Sequence, residues 1–115
     1  MKSVEIELDG KARKLRYGYE IIADMEEAMN NTSVLALLQQ DRFGFHTARM
    51  FIMYGLRHEE KGITKQRAGK MLGQYLEDGG DFGSVLDIIT RAVAASGVFG
   101  KEALEALGNP EGAAE

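Results

Sequence analysis

The chain of 115 residues has no cysteine, no tryptophan and a single proline. Without cysteine there is no disulfide framework, no thiolate zinc site and no thiol nucleophile. The only two histidines are His46 and His58. Twelve residues apart on one helix they would be separated by about 18 Å, too far to share a metal ion. No serine stands in a Gly-x-Ser-x-Gly frame, and no lysine follows Gly79-Gly80 in phosphate-loop spacing. The adjacent pairs Glu26-Glu27 and Glu59-Glu60 point to different sides of a helix, so neither forms an acid/base pair. The expectation is therefore a protein that is not an enzyme, with no catalytic residue, no metal and no cofactor. No apolar run approaches the ~20 residues that a membrane span needs. Glu5 stands where a signal peptide would carry its apolar stretch, which points to a cytoplasmic, non-secreted protein.

What is present is ordinary for a globular domain: 44% hydrophobic and 28% charged residues. One domain is the default at this length, and such a chain buries roughly two-thirds of its unfolded surface. The expected unit covers residues 1–100. Residues 101–115 read as a short helix, Lys101 to Leu107, or a frayed acidic tail.

The net charge of −4 is unevenly spread. Residues 1–17 balance at +2, residues 18–41 at −5, residues 42–70 at +5 and residues 71–115 at −6. The preferred reading is that opposite blocks face one another within one monomer. Head-to-tail self-association, or an oppositely charged partner, is the alternative.

Val4, Ile6 and Leu8 alternate with Glu5, Glu7 and Asp9, the pattern of a strand with one wet face. Asp9-Gly10 signals a tight turn. The return strand is expected over Arg13 to Tyr17. A two-residue loop would set Ile6 opposite Arg13. A four-residue loop, Asp9 to Ala12, sets Ile6 opposite Leu15 and is preferred because it brings the apolar sets together on one face. Alone such a hairpin is marginal, so it must lie on helices.

From Tyr19 the period changes to 3.6, with Ile21, Ile22, Met25, Ala28 and Met29 on one stripe. Asn30-Asn31 ends this helix. Thr32 or Ser33 caps a second helix to about Gln40, and Asp41 to Gly44 is a link. A third, most central helix runs from about Phe45 to His58, a fourth from Thr64 to about Glu77, and a fifth from Asp81 or Ser84 to about Ser96. The expected fold class is α+β, mainly α: an N-terminal two-stranded hairpin packed on a cluster of about five helices. Met25, Met29, Met50, Met53 and Met71 read as core, although exposed methionines would suit variable targets.

The basic stretch 42–70 also fits a helix-turn-helix, which makes a small DNA-binding regulator the alternative function. The link from Glu59 to Ile63 is long for that motif, and the protein is acidic, so nucleic acid is not the expected partner. Gly69 and Gly73 suit either close helix packing or nothing, at about 1 kcal/mol each relative to Ala. Lys65 and Arg67 oppose the dipole of the helix they open. Either an internal neighbour, such as the acidic 18–41 block, or an acidic partner surface would explain them.

Together these pieces resemble a known family. The hairpin Leu8-Asp9-Gly10 through Leu15-Arg16-Tyr17 is followed by Ile21-Ile22-Ala23-Asp24-Met25-Glu26-Glu27. Then come Met53-Tyr54-Gly55-Leu56-Arg57-His58-Glu59 and the helix opening Gly62-Ile63-Thr64. Over residues 4–95 this is similar to the tail assembly chaperones of long-tailed phages, prophages and gene transfer agents. It departs from them at Lys65-Gln66-Arg67, where the family tends to be acidic, which bears on the partner surface more than on the fold. The resemblance implies a protein of the bacterial host cytoplasm. It would bind the tape-measure protein, and also tail-tube protein, during tail assembly, in some relatives with a longer frameshifted form. A structural tail-completion subunit is a further alternative. The candidate partner-binding residues are Arg57, His58, Lys65, Arg67 and Lys70.

Overall fold

A computed structural model describes residues 3–100; the helix and tail expected over 101–115 lie outside the described residues. The order of elements is β1 (Val4–Leu8), β2 (Lys11–Leu15), α1 (Tyr19–Ala28), α2 (Val34–Leu37), α3 (Phe45–Leu56), α4 (Lys65–Glu77) and α5 (Phe82–Ala95). The fold class is that expected, a hairpin on five helices.

The hairpin register differs from the preferred one. Ile6 lies opposite Arg13 and Val4 opposite Leu15. The loop is Asp9-Gly10, both with positive φ (56° and 71°), the two-residue turn whose twist matches the strands. A slip of two residues leaves every side chain on its original face, so burial of apolar residues does not choose between the two registers. Turn geometry does. In this register Arg13 lies opposite Ile6 and is only 8% exposed; its Nε donates to the Leu8 carbonyl and its Nη1 meets Glu60 at 2.6 Å. The strand consequently ends at Leu15. Tyr17 leaves the sheet and is fully buried against α3.

Asn30 and Asn31 both adopt positive φ (61° and 56°) beyond α1, as Asn at a helix end allows. Ala28, assigned to the apolar stripe, is exposed. The second helix is a single turn and stops well before Gln40. Its N-terminus is capped by Ser33, and the Val34 N–H donates to the Glu26 carboxylate at 2.8 Å. Gln39 to Arg42 continue as exposed turns. Thr64 and Asp81 cap α4 and α5 by accepting from the backbone N–H three residues on.

α3 is the centre of the molecule, with nine of its twelve residues buried. β2 and α1 pack on it, α4 runs beside it, and β1 lies against α4 and α5. The link 41–44 is not a passive connection: Phe43 is buried between Phe51 (6.1 Å between centroids) and Phe82 (5.3 Å). Met25, Met50, Met53 and Met71 are buried and Met29 is half-buried, so the methionines serve as core.

Among the described residues the oppositely charged blocks are not joined by direct ion pairs. Ion pairs among the described residues join Arg13 to Glu60, Arg67 to Glu60 and Arg91 to Asp87. None joins the basic 42–70 block to the acidic 18–41 block.

Candidate functional site

The five candidate partner residues fall into two groups. Arg57 and His58 belong to a seam between the C-terminal end of α3 and the outer edge of β2. An edge strand exposes unpaired backbone groups, and here the residues after α3 satisfy them. The Arg16 N–H donates to the Gly55 carbonyl at 3.0 Å. His58 donates from Nε2 to the Lys14 carbonyl at 2.7 Å, and the Lys14 N–H donates to the Glu59 carboxylate at 3.4 Å. The guanidinium of Arg57 lies over the Tyr54 ring, 4.2 Å from its centroid, and its buried Nε has no protein partner. Helix α3 therefore ends at Leu56, two residues earlier than expected, because His58 and Glu59 turn toward β2.

At the middle of this seam a glycine is obligatory. A Cβ on Gly55 would sit 2.7 Å from Tyr17 Oη and 2.9 Å from Leu15 Cδ2. The Tyr17 hydroxyl donates to the Phe51 carbonyl in the same space, and burial holds its pKa well above the ordinary value. Glu60 completes the seam by accepting from Arg13 on one side and from Arg67 Nε at 3.0 Å on the other. The Arg67 hydrogen bond first, and the Arg13 bond after it, hold the Glu60 carboxyl below the ordinary value, although partial removal from water pushes it the other way. Arg67 thus has an internal partner, but it is Glu60 and not the 18–41 block.

Lys65 and Lys70 stand apart from this seam, exposed on α4 with no carboxylate in contact among the described residues. A groove of about 430 Å³ between α3 and α4 is lined by Phe45, His46, Arg49, Gly69, Leu72, Gly73 and Leu76, and Lys65 precedes Gly69 by one turn on the same face of α4. Gly69, Leu72, Gly73 and Leu76 share one face of α4 through their i, i+3, i+4, i+7 spacing. Phe45 and Arg49 occupy successive turns of α3. Phe45 is 64% exposed, yet its ring rests 4.7 Å from that of Phe82. It ends an aromatic row that runs from buried Tyr17 through Phe51, Phe43 and Phe82 to the groove mouth.

Arg49 donates from Nε and Nη2 to His46 Nδ1, at 3.2 and 3.0 Å. Desolvation of the His46 ring, followed by the charges of Arg49 and Lys65, holds its pKa below the ordinary 6.5, although the residue as a whole is exposed. The imidazole is then a neutral acceptor at pH 7, and Arg49 keeps its charge uncompensated. No carboxylate lines the groove.

Gly69 and Gly73 do not bring two helices together. A Cβ on Gly73 would meet nothing within 4 Å, and one on Gly69 only Arg49 Cδ at 3.7 Å, an ordinary contact. Their absent side chains leave the groove open. Sequence reasoning named Lys65 and Lys70 but missed Phe45, His46, Arg49, Leu72 and Leu76 as one surface. No local signal marked them, since Phe45 shares the i, i+3, i+7 spacing of the buried Ala48 and Ile52 and so reads as core by periodicity. No family model, curated protein or solved structure matches this chain.

Proposed function

We propose that the protein is a non-enzymatic tail assembly chaperone that binds tape-measure protein, with tail-tube protein as a second client, in the cytoplasm of a bacterial host. The observation that supports this reading is the convergence of the segments that carry the family resemblance. The hairpin end Leu15-Arg16-Tyr17 and the string Tyr54-Gly55-Leu56-Arg57-His58-Glu59 meet in the seam. Ile63 is buried and Thr64 caps α4 immediately beyond it. Residues scattered over the chain thus act as one structural device, which is what a family signature without catalytic content would encode.

The physical role follows from the client. A long helical protein with apolar stretches aggregates while those stretches are bare, and a small protein binding at repeated sites along it covers them. Co-expression with a tape-measure protein from the same genome is expected to raise that protein's solubility, and the two are expected to co-purify. Absence of both effects refutes the reading. Recovery of the chain from purified particles by mass spectrometry would make it a structural tail-completion subunit instead. Duplex binding at low salt that Lys65→Glu with Arg67→Glu weakens would mark a DNA-binding regulator.

A further inference from the structure

We infer that the groove between α3 and α4 receives an amphipathic helix of the client, with its apolar face on Phe45, Leu72 and Leu76 and its polar flank acidic. The inference rests on the chaperone reading for the identity of the client, and on the groove itself for the chemistry.

Charge decides the partner's flank. Arg49 lines the groove, Lys65 stands one turn before Gly69 on the same face of α4, and no carboxylate is among the lining residues. The ion pairs among the described residues engage Arg13, Arg67 and Arg91, so these two cations have no internal counterpart there. Lys65 is placed in the first turn of α4, where the helix dipole disfavours a cation, and an acidic group docked beside it would relieve that conflict. Arg49 reaches over the groove with its charge intact, since its contact is a neutral imidazole nitrogen.

Shape and polarity decide that the occupant is a helix. The floor is apolar and is lined along α4 from Gly69 to Leu76, about 10 Å of helix, which matches two turns of a partner presenting side chains at i, i+3/i+4 and i+7. Phe45 offers a large apolar contact already held in place by Phe82, so little side-chain freedom is lost when a partner covers it. Gly69 and Gly73 let the partner's side chains reach the floor without meeting a Cβ.

The test uses the full chain and two labelled peptides of about 18 residues, five helical turns. Both carry the same leucine face, and their flanks are glutamate in one and lysine in the other. Fluorescence anisotropy is expected to show the glutamate peptide binding about tenfold tighter at low salt, with the preference shrinking as salt rises. Gly73→Leu fills the groove, and Lys65→Glu reverses the charge one turn before Gly69; each is expected to weaken the glutamate peptide about tenfold while the thermal midpoint stays within a few degrees of wild type. Gly73→Ala serves as the folded control if the leucine variant is unstable: it should weaken the peptide less than Leu does and raise the midpoint. Amide shifts on titration should concentrate at Gly69 and Gly73.

Equal affinity for both peptides, unchanged affinity in Gly73→Leu or in both Gly73 variants, or shifts confined to another face would each overturn the inference. So would a free protein that is dimeric and becomes monomeric in Lys65→Glu, since the groove would then belong to a second copy. If wild type fails to co-purify with tape-measure protein yet binds the glutamate peptide here, the client is wrong and the groove chemistry stands. If co-purification survives Gly73→Leu undiminished, the client stands and the groove assignment fails.

Discussion

Two helix faces in this molecule carry glycine, and they use it in opposite ways. At Gly55 on α3 the missing side chain is occupied by Tyr17, and the helix and the hairpin close on each other. At Gly69 and Gly73 on α4 the missing side chains are replaced by nothing, and the surface stays concave. The same residue type lowers helix propensity in both places. In the first case tight packing compensates for that loss within the monomer. In the second no contact among the described residues does, and an occupant of the groove would supply it. The charges follow the same division, for Arg13 and Arg67 share the Glu60 carboxylate at the seam while Lys65 and Arg49 have no ion-pair partner among the described residues.

Substitution at the seam should have the largest effect. Gly55→Ala forces a Cβ against Tyr17 Oη at 2.7 Å, where the ring is fully buried and cannot step aside. Overpacking of this kind costs about 1–3 kcal/mol, partly offset by the helix preference of alanine. Denaturant unfolding is expected to show a lower midpoint at unchanged slope, and a midpoint equal to wild type would erase the contrast between the faces.

Glu60→Gln is next. It leaves the buried Arg13 guanidinium with a neutral partner, and the expected loss is about 1–2 kcal/mol, below that of a fully buried pair because the Glu60 side chain is 32% exposed. The same residue sets a pH dependence. Its folded pKa lies below the ordinary 4.5, so the unfolded chain takes up the proton first as pH falls. The stabilisation is complete above pH 4.5 and is lost as pH drops through the lower folded value. Acid titrations of stability should therefore fall more shallowly below pH 4.5 in Glu60→Gln than in wild type.

The smallest effect has the opposite sign. Gly73→Ala introduces a Cβ that meets nothing within 4 Å and should stabilise α4 by up to about 1 kcal/mol. An increase in the thermal midpoint by calorimetry would sharpen the comparison. A decrease would mean that the groove is closed in solution.

Much of this fold is local and could be read before any coordinate was known. Asp9-Gly10, Asn30-Asn31, Thr64 and Asp81 mark turns and helix ends through their own backbone and side-chain chemistry. The alternation over Val4 to Leu8 and the 3.6 period of α4 and α5 identify element types in the same way. Register was legible only through the Asp9-Gly10 turn: a slip of two residues preserves the faces, so pairing apolar residues with one another chose the wrong alternative. Phe43 looked like part of a link, since nothing near it in sequence places it between Phe51 and Phe82. The roles of Arg57 and His58 in the seam depend on a β2 edge that only docking brings within reach.

The sequence by itself determined what each segment is: a strand pair, five helices, their caps, and a surplus of positive charge between residues 42 and 70. Those properties are set by interactions within a few residues, so composition and spacing carry them. Only the tertiary structure decided which glycine is filled and which is open, which bases are neutralised and which face outward, and that Phe45 ends at the mouth of a groove. Each of these depends on side chains from elements distant in the chain meeting, or failing to meet, around α3, and no local pattern encodes that.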